Sequence, residues 1–297
     1  MNGGVYSAIQ RSIEDATGAE ARIDSRSSAS GGCINHAEVI ELVDGRRFFI
    51  KTNSQCPADM FQREAQGLAA LVGTRAIRVP EVFGLGEQSG TLFLILEVIE
   101  SGQKSKSFFE TLGEQLANMH RTSCERHAEG YGWEDDNYLG STVQKNSWCD
   151  KWLEFWKEHR LGFQFELARK NGHADSRFNS LADKLMDKLD GLLVCDEPPA
   201  LIHGDLWNGN YMVGTDGEPV LIDPAVYFAD REAEFGMTTL FGGFDGRFYD
   251  AYNAAWPLAD GSEDRIAVYR LYHLLNHLNL FGASYRQDCV SIMQRFA

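Results

Sequence analysis

The chain has 297 residues, which is enough for two compact lobes or one large domain with a core that needs no disulfide or metal. Hydrophobic residues make up 43% and charged residues 24%, a composition that excludes an intrinsically disordered protein. The formal net charge of −15 disfavours binding to nucleic acid or to an anionic membrane surface, although a local site can still hold a phosphate ligand.

The cysteine spacing and the lengths of the apolar segments indicate in which cellular compartment the protein is expected. The six cysteines are scattered without a C-x-x-C pair, which disfavours a zinc site or a dithiol redox motif. No segment approaches the roughly 18 consecutive apolar residues of a membrane helix, and the N-terminus has no charged leader followed by an apolar run. We therefore expect a cytoplasmic protein with no nucleic-acid partner and no membrane partner.

The first hundred residues predict a small β-rich lobe. Apolar runs flank Asp44-Gly45, a dipeptide that favours the positive φ angles of a tight hairpin turn, and a Ser- and Gly-rich loop over 27–32 precedes them. The predicted elements are, in chain order, a helix over 3–17, a strand from about Glu20, a hairpin over 37–51, a helix over 59–72 and a strand over 91–100.

The pattern turns helical after about residue 100. The predicted elements are helices over 107–122, 146–171 and 175–194, short strands at 201–202, 211–213 and 220–222, and further helices after 230. The sequence thus predicts an α+β protein with a small antiparallel β-rich lobe at 1–99, which would bind nucleotide. A larger, mainly helical lobe at 100–297 would carry catalysis and the substrate site.

The segment HGDLWNGN, followed after a strand–turn–strand by LIDPA, carries the strongest indication of chemistry. Phosphoryl transfer needs a carboxylate to orient the attacking hydroxyl and oxygen ligands to hold Mg²⁺ on the phosphates. We assign Asp205 to the first task and Asn210 and Asp223 to the second, because Mg²⁺ usually takes only one or two carboxylates from a protein. The alternative, that Asp205 and Asn210 are ordinary turn residues, is weakened by the second Asp after the hairpin.

Two residues of the small lobe match this interpretation. Lys51 ends the third predicted strand, where a kinase places the lysine that contacts the nucleotide phosphates, and Glu64 lies on the next helix, where it can pair with Lys51. A single Lys on a strand is usually a solvated edge residue and a single Glu on a helix is usually a polar surface residue. The order and spacing of the two favour the paired interpretation.

Two further segments are candidates for nucleotide contacts. Gly31 and Gly32 lie between the first two predicted strands, where backbone N–H groups can approach phosphates without side-chain obstruction, although neither G-x-G-x-x-G nor a Walker motif is present. Glu97, Val98 and Ile99 lie in the linker that would offer backbone groups to adenine. The alternative for these three residues is the end of a buried strand.

Other histidines and aromatic residues have simpler interpretations. His273 and His277 are four residues apart, as zinc ligands can be, but HLLNH lacks the Glu of a metalloprotease, so we expect core or partner-facing residues. His120 and His203 are expected to orient loops through backbone hydrogen bonds. Helical spacing predicts a packed core, not a ligand cage, for Trp148, Trp152, Phe155 and Trp156.

Taken together, HGDLWNGN with DPAVYFADREAEFGMTTLFGGF, GGCINHAE, DNYLGSTVQKNSWCDKW and LYHLLNHLNLFG resemble the fructosamine kinase (ketosamine-3-kinase) family over nearly the whole chain. The resemblance implies the two-lobe protein-kinase-like fold shared with aminoglycoside and choline kinases. Trp207 and Asp223-Pro224-Ala225 distinguish the pattern from those relatives. Pro-Ala in place of the Phe-Gly of protein kinases argues against an activation-loop switch like theirs.

The resemblance implies an enzyme that uses ATP and Mg²⁺ to phosphorylate the 3-hydroxyl of fructosamines or ribulosamines on amines or glycated lysines, a deglycation repair activity. It implies the same roles for Asp205, Asn210, Asp223, Lys51 and Glu64, and adenine contacts for 97–99. The rival hypotheses are an aminoglycoside- or choline-type phosphotransferase and, less favoured because the catalytic set is intact, a silent nucleotide-binding protein. The segments 137–142 and 230–232 match the family but receive no role from the sequence.

Cys33 is the one cysteine for which the sequence suggests a function. It lies in the glycine-rich loop beside the expected phosphate site, where a thiolate could be oxidised reversibly and could link two chains. The alternative is a thiol without a role, so the chain is expected to be a monomer or a redox-linked dimer through Cys33.

Overall fold

The computed structural model describes residues 3–29, 35–124, 130–194 and 197–297, and its N-terminal part is a five-stranded antiparallel sheet in the order β1-β2-β3-β5-β4. The strands are β1 (Ile23–Ser28), β2 (His36–Leu42), β3 (Arg47–Asn53), β4 (Val82–Gln88) and β5 (Thr91–Glu97). The predicted hairpin is confirmed as β2–β3, with Gly45 at φ 87° in its turn, a conformation that favours glycine.

Two helices cover the two faces of this sheet. Successive side chains of a strand point to opposite faces, and β5 shows this alternation clearly. Phe93 and Ile95 pack in one core with the apolar face of α1 (Gly3–Thr17). Leu94 and Leu96 pack in another core with α2 (Met60–Thr74) and with residues from the C-terminal part of the chain. The helix α2 therefore lies between the sheet and the rest of the molecule.

The C-terminal part is mainly helical with three two-stranded β-ribbons. Its elements are α3 (Phe108–Cys124), β6 (Asn137–Leu139), β7 (Thr142–Gln144), α4 (Trp152–Phe155), a π-helical segment (Trp156–Gly162), α5 (Phe163–Lys170), α6 (Ser176–Leu192), β8 (Ala200–Ile202), β9 (Tyr211–Val213), β10 (Pro219–Leu221), β11 (Tyr227–Ala229), a 3₁₀ turn (Arg231–Ala233), α7 (Glu234–Thr238), α8 (Gly246–Ala255), α9 (Ser262–Phe281), a second 3₁₀ turn (Ala283–Tyr285) and α10 (Arg286–Phe296). The expected α+β architecture is confirmed, whereas the boundary at 99/100 stays a prediction. In the described ranges no helix is long and apolar enough to cross a membrane.

One predicted element is wrong in its boundaries. The helix expected over 146–171 begins only at Trp152, because the residues before it are extended and hydrogen bonded to the segment at 131–133, with Trp133 N–H donating to the carbonyl of Asn146 at 2.9 Å. Aromatic spacing marks the buried side of a segment but does not show whether another strand pairs with it. Trp152, Phe155 and Trp156 are core residues as expected.

Candidate active site

The loop between β8 and β9 carries Asp205 and Asn210 and is held closed by its own hydrogen bonds. The side-chain amide of Asn210 donates to the carbonyl oxygen of Asp205 at 2.8 Å and to its carboxylate Oδ2 at 3.0 Å. The backbone N–H of Asn210 donates to the carbonyl of Trp207 at 2.9 Å. The five-residue spacing seen in the sequence thus places an amide directly against a carboxylate.

His203 joins this loop to the segment that carries Asp223. Its Nε2 lies 2.9 Å from the carbonyl oxygen of Ile222, which can only accept, so Nε2 carries the proton. Nδ1 is then free to accept from the backbone N–H of Asp205 at 3.3 Å. Burial lowers the pKa of His203, which fits this neutral tautomer. The expectation that His203 orients loops is confirmed.

Gly204 permits the close approach of the two segments. Its φ is 82°, and a Cβ at this position would lie 2.1 Å from the carbonyl oxygen of Ala225. No side chain fits there. Asp223 itself has φ 55°, which is uncommon for a residue other than glycine but is adopted more readily by Asp than by most residues.

Lys51 lies between two carboxylates. Its Nζ is 2.6 Å from Oε1 of Glu64 and 2.5 Å from Oδ1 of Asp223. Burial alone would disfavour the ammonium, but the two carboxylates outweigh it and raise the pKa of Lys51 above its ordinary value. The structure therefore brings together the two small-lobe residues that the sequence singled out and one of the proposed metal ligands.

Asp205 lies at the base of the same cleft. Burial and the nearby carboxylate of Asp223 raise the pKa of Asp205 well above its usual range. A carboxylate with a raised pKa is a stronger hydrogen-bond acceptor and a better base towards an alcohol than a solvated one. The position suits a residue that orients and deprotonates a hydroxyl.

The cleft also has oxygen atoms suited to a divalent cation. Within the described ranges, Oδ1 of Asn210 and Oδ2 of Asp223 have no hydrogen-bond partner. One amide oxygen and one carboxylate oxygen are the kind of ligands that Mg²⁺ takes at a nucleotide site. The described residues contain no group of three or more His, Cys, Asp or Glu that could hold a metal by themselves. A cation here would need further ligands from phosphates and water.

Glu234, at the start of α7, anchors the loop that carries Asp205, the candidate catalytic loop, and no pattern in the sequence indicated this role. Its Oε2 accepts from the backbone N–H of His203 at 2.6 Å and its Oε1 accepts from that of Gly204 at 3.1 Å. The carboxylate is fully buried, with His120 Nε2 3.5 Å away. The family-like segment around it marked the region, but nothing distinguished Glu234 from Glu232, which faces Arg265 instead.

The cleft encloses about 210 Å³ and extends beyond the predicted site residues. Its lining includes Asn35, Lys51, Glu64, Tyr138, Gly140, Asp205, Trp207, Asn210, Asp223, His277 and Phe281. The hairpin β6–β7 and the end of α9, which received no role from the sequence, thus form part of the site. His277 does not belong to the core, whereas His273 is buried.

The predicted nucleotide contacts at 31–32 and 97–99 are not established by the described residues. Gly31, Gly32 and Cys33 lie outside the described residues. The N–H of Glu97 donates to the carbonyl of Glu81 at 2.8 Å and is not available to adenine. No hydrogen bond to the N–H groups of Val98 and Ile99 is found among the described residues, so the linker role stays a prediction.

Comparisons with known proteins identify the family of the chain. A model of the fructosamine kinase family matches residues 5–297. A protein of Synechocystis sp. named "probable ketoamine kinase" is 40% identical over 294 residues, covering 98% of this chain and 96% of that protein. A protein of Arabidopsis thaliana named "protein-ribulosamine 3-kinase, chloroplastic" is 42% identical over 272 residues, covering 91% of this chain and 81% of that protein.

Solved structures support the same relationship. A crystal structure from Haemophilus somnus, assigned to fructosamine-3-kinase, is similar with a TM-score of 0.88 and 28% identity, covering 98% of this chain and 97% of that one. An aminoglycoside phosphotransferase bound to ADP and hygromycin B has a TM-score of 0.68 at 14% identity, covering 98% and 99%, which shows the shared kinase-like fold alone. The resemblance inferred from the motifs is therefore confirmed, and this chain belongs to the fructosamine kinase family.

Proposed function

We propose that this protein transfers the γ-phosphoryl group of ATP to the 3-hydroxyl of ketosamines, the fructosamine or ribulosamine adducts on amines and lysine side chains. The observation that carries the proposal is the convergence of Asp205, Asn210, Asp223 and Lys51 on one cleft in a chain of this family. Phosphorylation would make the adduct labile, so the activity would be a deglycation repair, which we expect in the cytoplasm.

In the proposed reaction the acceptor hydroxyl donates a hydrogen bond to Asp205 as it approaches the γ-phosphorus in line with the departing ADP oxygen. The O–P bond to the acceptor forms, the bond to ADP breaks, and the hydroxyl proton passes to the carboxylate of Asp205. Lys51 contacts the α- and β-phosphates, and Glu64 holds its ammonium in position. Adenine would lie at the linker 97–99, and the phosphate contacts expected of Gly31 and Gly32 fall outside the described residues.

The metal requirement is part of the proposal. Asn210 and Asp223 would hold Mg²⁺ through the two oxygens that have no partner within the described part of the chain. The ion, when bound, neutralises charge on the phosphates during transfer. Asn210 also keeps the Asp205 carboxylate oriented through its amide, so one side chain would serve both the metal and the base.

The deciding experiment measures ADP formation by the purified protein with Mg²⁺ and a panel of acceptors: ribulosyl-lysine, fructosyl-lysine, kanamycin and choline. We expect turnover with a ketosamine that disappears in Asp205→Asn. Turnover with kanamycin or choline alone would favour the aminoglycoside- or choline-type rival. ATP binding without any turnover would favour the silent nucleotide-binding protein.

The oligomeric state has a separate test. The proposal allows a monomer or a dimer linked through Cys33, a residue outside the described ranges. Non-reducing electrophoresis and ADP formation after mild peroxide treatment, compared between wild type and Cys33→Ser, would decide. A peroxide-dependent dimer and activity loss that both vanish in Cys33→Ser would support the redox link, and unchanged activity in both proteins would refute it.

A further inference from the structure

Beside the loop that carries Asp205, the rings of Trp207, His277 and Phe281 line the cleft. Phe241 and Tyr285 lie behind them and connect them into one cluster, which we call the aromatic wall. Trp207 and Phe241 contact each other with ring centroids 5.8 Å apart, and Phe241 contacts His277 at 5.0 Å. His277 in turn contacts Phe281 at 5.5 Å and Tyr285 at 5.1 Å. The wall therefore runs without interruption from the catalytic loop to the C-terminal end of α9.

Part of this wall is exposed although its residues are large and apolar. Phe281 is 54% exposed and Phe241 is 43% exposed. Phe241 also has φ 53°, a strained backbone conformation for a bulky residue. Trp207, His277 and Phe281 line the same cleft as Asp205. Trp207, Phe241 and Phe281 belong to none of the core clusters of the described residues, so a ligand is the natural partner for this part of the wall.

The imidazole of His277 has a defined tautomer. Its Nδ1 lies 2.8 Å from the carbonyl oxygen of His273, which can only accept, so Nδ1 carries a proton. Burial lowers the pKa of His277, so the ring is neutral near pH 7 and its Nε2 is an acceptor. Among the described residues Nε2 has no hydrogen-bond partner.

Neighbouring polar groups of the cleft are already used within the protein. The amide of Asn276 donates to the carbonyl of Leu139 at 3.3 Å and accepts from Gln164 at 3.2 Å. The hydroxyl of Tyr138 donates to Asp59 at 2.6 Å. The acceptor at Nε2 of His277 is thus available to a hydrogen-bond donor on the substrate.

We propose that His277 recognises the amine of the ketosamine: Nε2 accepts a hydrogen bond from the secondary ammonium, and the aromatic wall contacts the cation and its attached carbon chain. This inference rests on the proposed function. A neutral imidazole does not repel a cation, and aromatic faces attract one. Because the wall leads outward to exposed Phe281, the lysine or peptide that carries the sugar would leave the cleft along it.

The test compares a ketosamine with an analogue in which an ether oxygen replaces the amine nitrogen, since the ether cannot donate. His277→Phe keeps a ring in the wall and removes the acceptor. We expect kcat/KM for the ketosamine to fall about 10- to 100-fold, mainly through KM, as for loss of a hydrogen bond to a charged group. For the ether we expect a change of about twofold or less.

Two variants serve as controls. Tyr285→Phe removes only a hydroxyl next to His277 and keeps both the ring and the Nε2 acceptor, so the ratio of kcat/KM between the ketosamine and the ether should stay unchanged. His277→Gln keeps an acceptor oxygen and should retain part of the preference for the ketosamine. It also provides the test if His277→Phe folds poorly. Nucleotide affinity within about twofold of wild type verifies that each variant retains an intact small-lobe site.

The failures are distinguishable. A wild-type protein that turns over no ketosamine overturns the proposed function and this inference with it. If the wild type phosphorylates a ketosamine, the inference alone is overturned when His277→Phe lowers kcat/KM equally for the ketosamine and the ether, or when it changes neither.

Discussion

Glu234 offers a direct test of how the catalytic loop is positioned, because it touches the loop backbone and not the reacting groups. Its two carboxylate oxygens accept from the N–H groups of His203 and Gly204. In Glu234→Gln one oxygen is replaced by an amide NH₂ that faces an N–H donor. Loss of one hydrogen bond to a buried charged group costs about 1.5–3 kcal/mol.

This loss should appear in turnover more than in nucleotide binding. Asp205 directly follows the two anchored N–H groups, and a displacement of about 1 Å at a catalytic group costs on the order of 100-fold in rate. We therefore expect kcat to fall about 100-fold while the Kd for ATP, whose proposed contacts at Lys51 and Asp223 lie outside the loop that Glu234 holds, changes by about twofold or less. Steady-state kinetics with a ketosamine and calorimetric titration with ATP measure the two quantities.

Glu232→Gln is the matched control. Glu232 is also a buried carboxylate, but it pairs with Arg265 at 2.6 Å and does not contact the catalytic loop. Both variants should lose similar stability in urea unfolding, and only Glu234→Gln should lose kcat in the folded protein. If Glu234→Gln keeps kcat within about twofold, or if both variants lose it equally, the positioning role is refuted.

Three further variants have defined outcomes. Asp205→Asn should lower kcat at least about 1,000-fold and leave the Kd for ATP almost unchanged, and near-full turnover would contradict its role as the base. Asp223→Asn should weaken ATP binding in Mg²⁺ but much less in EDTA, and equal weakening in both buffers would argue against a metal ligand. Burial, together with the Glu232 carboxylate, raises the pKa of Asp230 to about 6, so its ionisation costs stability as pH rises from about 4 through about 6. The difference in unfolding free energy between Asp230→Asn and wild type, measured in urea, should shift in favour of the variant by about 2 kcal/mol from about pH 4.5 to about pH 7.5. A pH-independent difference would refute this.

The residues that can be inferred from the sequence are those whose role depends on local spacing. Asn210 follows Asp205 by five residues in a turn-rich loop, and in the structure the side-chain amide of Asn210 donates to the carboxylate of Asp205. The continuous run of large apolar residues in β5 likewise predicts a strand buried on both faces. Such patterns are determined within about ten residues of chain, so they can be recognised without the fold.

Other features depend on contacts between distant segments, and only the tertiary structure decided them. Glu234 anchors a loop 30 residues earlier in the chain, and no local pattern separates it from Glu232. The sequence predicted a core or partner-facing residue at His277, whereas the folded chain brings α9 and Trp207 to the same cleft. Asn146 and Cys149 are not helical because they pair with Trp133 and Tyr131 of another segment. Local sequence predicted the candidate catalytic residues, and long-range packing determined which segments hold them and line the cleft, because a buried polar group takes its partner from whichever segment the fold brings near.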